Sequence, residues 1–184
     1  MFGNGDGDGI FSLPSRNDAK KRAPLRAVEA YWHGLAGEGQ VPARAAVDPR
    51  GMESALENAF LLEKIAPSLA KIRVAGSQLS DLMGMQVAGM PLSTLIEVDD
   101  RDRFGEAVSQ LFDEPAIVRI HFAASEGFGR PKLGAHMILL PLRSDFGDVS
   151  RALGALVLDD RLGRAPRRLR IVDIDVERIA TAER

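Results

Sequence analysis

Three histidines, His33, His121 and His136, are the residues of this chain whose type suits metal ligation or proton transfer near neutral pH. They do not cluster along the chain with carboxylates at a metal-ligand spacing such as H-E-x-x-H, so the sequence assigns no metal ligand. No G-x-S-x-G elbow announces a serine nucleophile. Cysteine is absent, which excludes disulfides, thiolate metal sites, a cysteine nucleophile and flavin photochemistry that needs a cysteine adduct. Gly127-Phe128-Gly129 lacks the third glycine of a phosphate cradle and leads into a strand pattern, not a helix. The chain therefore offers no catalytic residues, and it reads as a protein that is not an enzyme.

Two further patterns carry chemistry in other contexts. Asn4-Gly5-Asp6-Gly7-Asp8-Gly9 looks like the start of a calcium loop, but the twelfth position would be Ser15, where a bidentate Glu is needed, and no helix precedes it. Arg22-Ala23-Pro24-Leu25-Arg26 fits the R-x-x-x-R pattern of PilZ-type cyclic-dinucleotide receptors. Its companion D-x-S-x-x-G is missing, since Asp148-Val149-Ser150 with Gly154 has one residue too many and lies far downstream. A solvated basic segment ahead of a helix is the simpler reading.

The elements that would position any site are clearer. Residues 1–24 read as a flexible tail too rich in Gly and Asp to order itself. Residues 25–58 form a helical extension. Leu25, Val28, Trp32 and Leu35 fall on one face of a helix that Pro24 starts and Gly37 ends. Burying these four yields about 6–12 kcal/mol at about 1.5–3 each. Ordering some twelve residues costs about 1–2 kcal/mol apiece, so the helix must dock on the domain, on a second copy, or on both. Asp48-Pro49 starts a further short helix.

Residues 59–160 read as the domain. Two strands, 60–65 and 71–75, join through Pro67-Ser68, and a short helix follows over 77–83. Phe104, Val108, Leu111 and Phe112 mark a longer amphipathic helix over 99–112. Val118, Ile120 and Phe122 then alternate with Arg119 and His121 in a strand over 116–123. Residues 133–142 are apolar on both faces apart from His136, which predicts a strand covered on both sides. A last core strand spans 152–158. Residues 161–184 hold a polar linker and a further strand, on a sheet edge or pairing with a partner chain, where Val172, Ile174 and Val176 alternate with acids.

Composition bounds the function. The chain has 184 residues, net charge −2 and 45% hydrophobic residues, enough for one domain with a core. Charges of both signs are interspersed, so no basic field recommends a nucleic-acid partner. No apolar run approaches the roughly 18 residues of a membrane span, and the acidic, Gly-rich start does not resemble a signal peptide. Together with the absence of cysteine, this fits a cytoplasmic protein.

The order of elements resembles the PAS fold, an α/β (α+β) architecture with a five-stranded antiparallel sheet whose helices cover one face. More narrowly, the chain resembles a bacterial PAS family first described as a domain of unknown function in alphaproteobacteria. The matching residues are Tyr31-Trp32 with Leu35, Pro42-Ala43-Arg44, Asp48-Pro49, Phe60-Leu61-Leu62-Glu63 and Arg73-Val74-Ala75-Gly76. Leu79, Met83-Gly84, Val87-Ala88-Gly89, Leu139-Leu140-Pro141-Leu142 and Leu153-Gly154-Ala155 complete the series. Met83 and Ala88 depart from the aromatic and Thr expected at their positions.

The resemblance implies a stand-alone sensory or regulatory module that acts through protein–protein contacts, with a small ligand as modulator. The alternative is a sensor whose internal pocket stays occupied by a small apolar ligand. The pocket of such a fold would be lined by Leu79, Met83, Phe104, Val108, Phe122 and Ile138. Some PAS domains hold haem through one histidine, a role open to His121 or His136; no cofactor is assigned, and haem and flavin stay open. The partners implied are an unidentified signalling protein and a second copy. In the homodimer, the helix face of Leu25, Val28, Trp32 and Leu35 would be the contact surface.

Overall fold

The computed structural model describes residues 15–37 and 40–180. The calcium-like run of residues 4–9 lies outside them. The tail expected over 1–24 gives way to structure by Ser15. The Ser15 hydroxyl accepts from the Asp18 N–H, and the Asp18 carboxylate accepts from Ser15 in return, which caps helix α1 (Arg16–Lys21). Helix α2 (Ala23–Leu35) follows with Pro24 in its first turn. Beyond Asp48, whose side chain accepts from the Arg50 N–H at 2.9 Å, the chain makes a 3₁₀ segment, Pro49–Ala55.

Strands β1 (Ala59–Ala66) and β2 (Leu69–Ala75) form a hairpin, and helix α3 (Ser77–Met83) follows. Helix α3 ends at Gly84, whose φ of 66° is the left-handed conformation that glycine adopts without strain. Helix α4 (Arg101–Asp113) leads into β3 (Ala116–Ala124), β4 (Leu133–Arg143) and β5 (Val149–Leu158). The expected extra strand is present as β6 (Leu169–Arg178). All pairings in the sheet are antiparallel, in the order β2-β1-β5-β4-β3-β6.

Period-two alternation divides the sheet into two faces. On the inner face, Phe60, Leu62, Val118, Ile120, Phe122, Met137 and Leu139 pack against α3 and α4. On the outer face, Ile117, Ile138, Leu140, Leu142 and Leu153 pack against Val28 and Trp32 of α2 and Met52 of the 3₁₀ segment. Helix α2 thus docks on its own domain. Gly154 keeps β5 close to the inner core, since a Cβ there would stand 2.3 Å from the Phe60 ring. A register shift in β6, where Phe122 faces Ile171 and His121 faces Asp173, leaves Val172 as the extra residue. Ile171 is buried while Val172 is exposed, so the simple alternation expected over 172–176 is broken at its first member.

Candidate functional site

The internal pocket expected from the sequence is filled. Leu79, Met83, Phe104, Val108 and Phe122 all come together on the inner face, each at most 4% exposed, as members of one packed core. Ile138 does not join them. It sits on the outer face beneath α2, and its neighbour Met137 takes the inner position. Strand β4 is apolar on both faces, so its hydrophobicity carries no parity signal; the polar His136, two residues from Ile138, is the residue that marks the outer side.

The four residues expected to touch a partner are also together, but they face inward to the chain. Val28 is fully buried and Trp32 is 4% exposed, and Leu25 and Leu35 pack half-buried at the edge of the same cluster. The Trp32 indole N–H donates to the Pro141 carbonyl at 2.8 Å. The expectation that Val28 and Trp32 form a dimer contact is therefore corrected: the apolar face of α2 is spent on β4 and β5.

What α2 leaves open is a cleft of about 350 Å³ between its first turns and the outer face of β3, β4 and β6. Arg22, Arg26, Glu29, Arg119, His121, His136, Asp173 and Asp175 line it. Arg119 spans the cleft: it bonds Glu29 of α2 and, at 2.7 Å, Glu177 of β6, with Asp175 at 3.7 Å. Arg26 donates to the Ala19 carbonyl at 2.6 Å, tying α2 back to α1. The Arg22 Nε is buried and has no hydrogen-bond partner among the described residues.

Strand pairing assembles a group that linear spacing could not show. His121 of β3 faces His136 of β4, and the two imidazoles stack with centroids 4.4 Å apart and planes 7° from parallel. His136 Nε2 lies 2.9 Å from Asp159 Oδ2, just past the end of β5. One ligand atom from each of His121, His136 and Asp159 lies within 4.8 Å of the others. The Asp159 N–H donates to the Gly134 carbonyl at 2.8 Å, which fixes the turn that presents the carboxylate. A Cβ on Gly134 would stand 2.6 Å from Asp159 Oδ2, so glycine at that position gives the carboxylate its room. Desolvation pushes the His136 pKa down, with Arg22 and His121 adding to that and Asp159 opposing it.

The haem role fits these residues poorly. Both histidines lie on the outer face, stacked on each other, while the inner core is closed by packed side chains. A larger groove, about 740 Å³, runs along β1 and β2, where Glu63 meets both Arg73 and Arg151 at 3.3 Å.

A sequence profile of the PAS domain matches residues 20–157. The chain belongs to the PAS domain family. The match begins within α1 and ends in β5, so it takes in α2 and leaves β6 outside. Among solved structures, the chain is similar to an RNA-binding light-oxygen-voltage receptor, with a TM-score of 0.43 and 15% identity over 67% of this chain and 37% of that one. No curated protein sequence matches. Among the described residues, no helix of this PAS protein is long and apolar enough to cross a membrane.

Proposed function

We propose that this PAS protein is a sensory and regulatory module that acts through contacts with a partner protein, in the cytoplasm and without catalysis of its own. Its signal is read as the docking of α2 on the outer face of the sheet. The observation that carries this reading is the division of labour between the two faces. The inner face is closed by buried side chains, whereas α2 rests on an outer face that keeps an open, charged cleft beneath its first turns. A small polar ligand entering that cleft meets Arg22, Arg26 and the two histidines, and competes with the Glu29–Arg119 contact that holds the helix. A ligand shifts such an equilibrium only by its differential affinity for the docked and undocked states.

Contacts with a partner, or with a second copy, then fall to the exposed side of α2 and to the segment of β6 past Val172, since the apolar side of α2 is already used. Hydrogen exchange on the full chain tests the reading. Amides of α2 exchange well ahead of those of β4 and β5, because the helix opens without the sheet. Equal protection of α2 and β4 would refute it. Native mass spectrometry of freshly purified protein reports bound small molecules and subunit number in the same measurement.

A further inference from the structure

We propose that His121, His136 and Asp159 form a binding site for a divalent transition metal of the zinc type, with an open coordination position toward the cleft under α2. Two imidazole nitrogens and one carboxylate oxygen form a donor set suited to Zn²⁺, Co²⁺ or Fe²⁺. Their placement is built into the fold. The histidines are direct cross-strand partners, at the separation from which two side chains on one sheet face can meet a common ion. Asp159 is held by its backbone bond to Gly134, and Gly134 clears the space its carboxylate occupies. A hydrogen bond between a carboxylate and an imidazole accounts for His136 and Asp159 alone. His121, the cross-strand partner of His136, brings a third donor atom within 4.8 Å of both.

Binding needs a modest rearrangement. In a tetrahedral zinc site the ligand atoms stand about 3.3 Å apart, as bond lengths near 2.0–2.1 Å require. The stacked rings must therefore turn about their side-chain torsions until the lone pairs converge, while the strand register stays as it is. The charge around the site also sets selectivity. Arg22 acts on His136 through space and opposes a cation, Asp173 opposite His121 favours one, and the donor set itself supplies a single carboxylate. Hard ions such as Mg²⁺ and Ca²⁺, which want oxygen donors, gain too little here. A borderline ion that forms strong bonds to imidazole remains bound. Three protein donors leave a fourth position free, and the histidines open on the cleft.

The test uses the full chain, stripped with a chelator and titrated with Co²⁺. The expected result is one Co²⁺ per chain with the intense visible d–d bands of four- or five-coordination, displaced by Zn²⁺ and unaffected by excess Mg²⁺ or Ca²⁺. His121→Ala, His136→Ala and Asp159→Asn each abolish those bands. His33→Ala, which removes the exposed histidine of α2, leaves them intact. Far-UV circular dichroism establishes that each variant folds. Asp159→Asn keeps the side chain's shape, so it answers the question should a histidine variant unfold. Weak octahedral bands in the wild type, or bands that survive Asp159→Asn in a folded protein, would overturn the proposal. Because the readout is metal binding alone, it fails or succeeds independently of whether α2 opens.

Discussion

Replacing Trp32 with Ala separates a helix docked on its own sheet from one held by another chain. Trp32 is 4% exposed, and its indole N–H satisfies the Pro141 carbonyl. Truncating a buried tryptophan costs about 3–5 kcal/mol, and a carbonyl left without a donor adds about 1–3 unless water reaches it. Against that, the whole apolar face of α2 gains only about 6–12 kcal/mol before the cost of ordering the helix is subtracted. The loss, about 4–8 kcal/mol in all, is therefore a large share of that gain. The substitution should release α2 rather than unfold the sheet. Amides of Ala23–Leu35 should lose their protection in hydrogen exchange while β3, β4 and β5 keep theirs. Urea unfolding followed by far-UV circular dichroism should show a lower midpoint and a smaller slope, since the folded state already exposes the surface under α2. Circular dichroism is the right probe because Trp32 is the chain's single tryptophan. The subunit mass by sedimentation should be unchanged. A variant with wild-type stability and a halved mass would refute the reasoning, because the tryptophan would then be packing on a second chain.

Four other substitutions read other parts of the structure. Gly154→Ala places a methyl against the Phe60 ring, which is 2% exposed, and should lower stability by about 1–3 kcal/mol in thermal or urea unfolding. Arg167→Met removes a buried guanidinium that bonds the carbonyls of Ser125, Pro131 and Leu162; at about 1–3 kcal/mol for each carbonyl left dry, β6 should lose hydrogen-exchange protection before the rest of the sheet. Arg119→Ala breaks contacts that are about one-third exposed, so its cost should stay within about 1 kcal/mol, while α2 exchanges faster. Phe146→Ser, at an exposed loop tip, should change stability by no more than about 0.5 kcal/mol; a larger loss would mean that the ring is covered in solution.

Much of the architecture was legible because periodicity and turn chemistry are local. The short helix over 77–83 appears at its expected limits, and the alternation of Val118, Ile120 and Phe122 with Arg119 and His121 gives the faces of β3 correctly. The pairing of elements was less legible. The apolar stripe of α2 required a partner surface, but a stripe of that kind says nothing about whose surface covers it. The apolar face supplied by β4 and β5 lies more than a hundred residues along the chain from Trp32, as the bond to Pro141 shows. Ile138 was misplaced for a related reason: in a strand buried on both sides, apolarity no longer distinguishes the faces.

The histidine group shows what local reading cannot supply, which is register. His121 meets His136 only because β4 is paired with β3 in one alignment; a slip of one residue would turn His136 into the inner core and bring Met137 out. That alignment depends on the β3–β4 loop. Gly127 and Arg130 exchange backbone hydrogen bonds at 2.9 Å, and Gly129 between them adopts a φ of 68°. The loop's flanks are then clamped from outside the hairpin. Arg167 donates to Ser125 on one side of the loop and to Pro131 on the other, and Arg164 donates its N–H to Gly129. Both arginines belong to the linker that leads into β6, and β6 places Asp173 opposite His121. The linker and edge strand thus hold the register on which the His121–His136–Asp159 group depends.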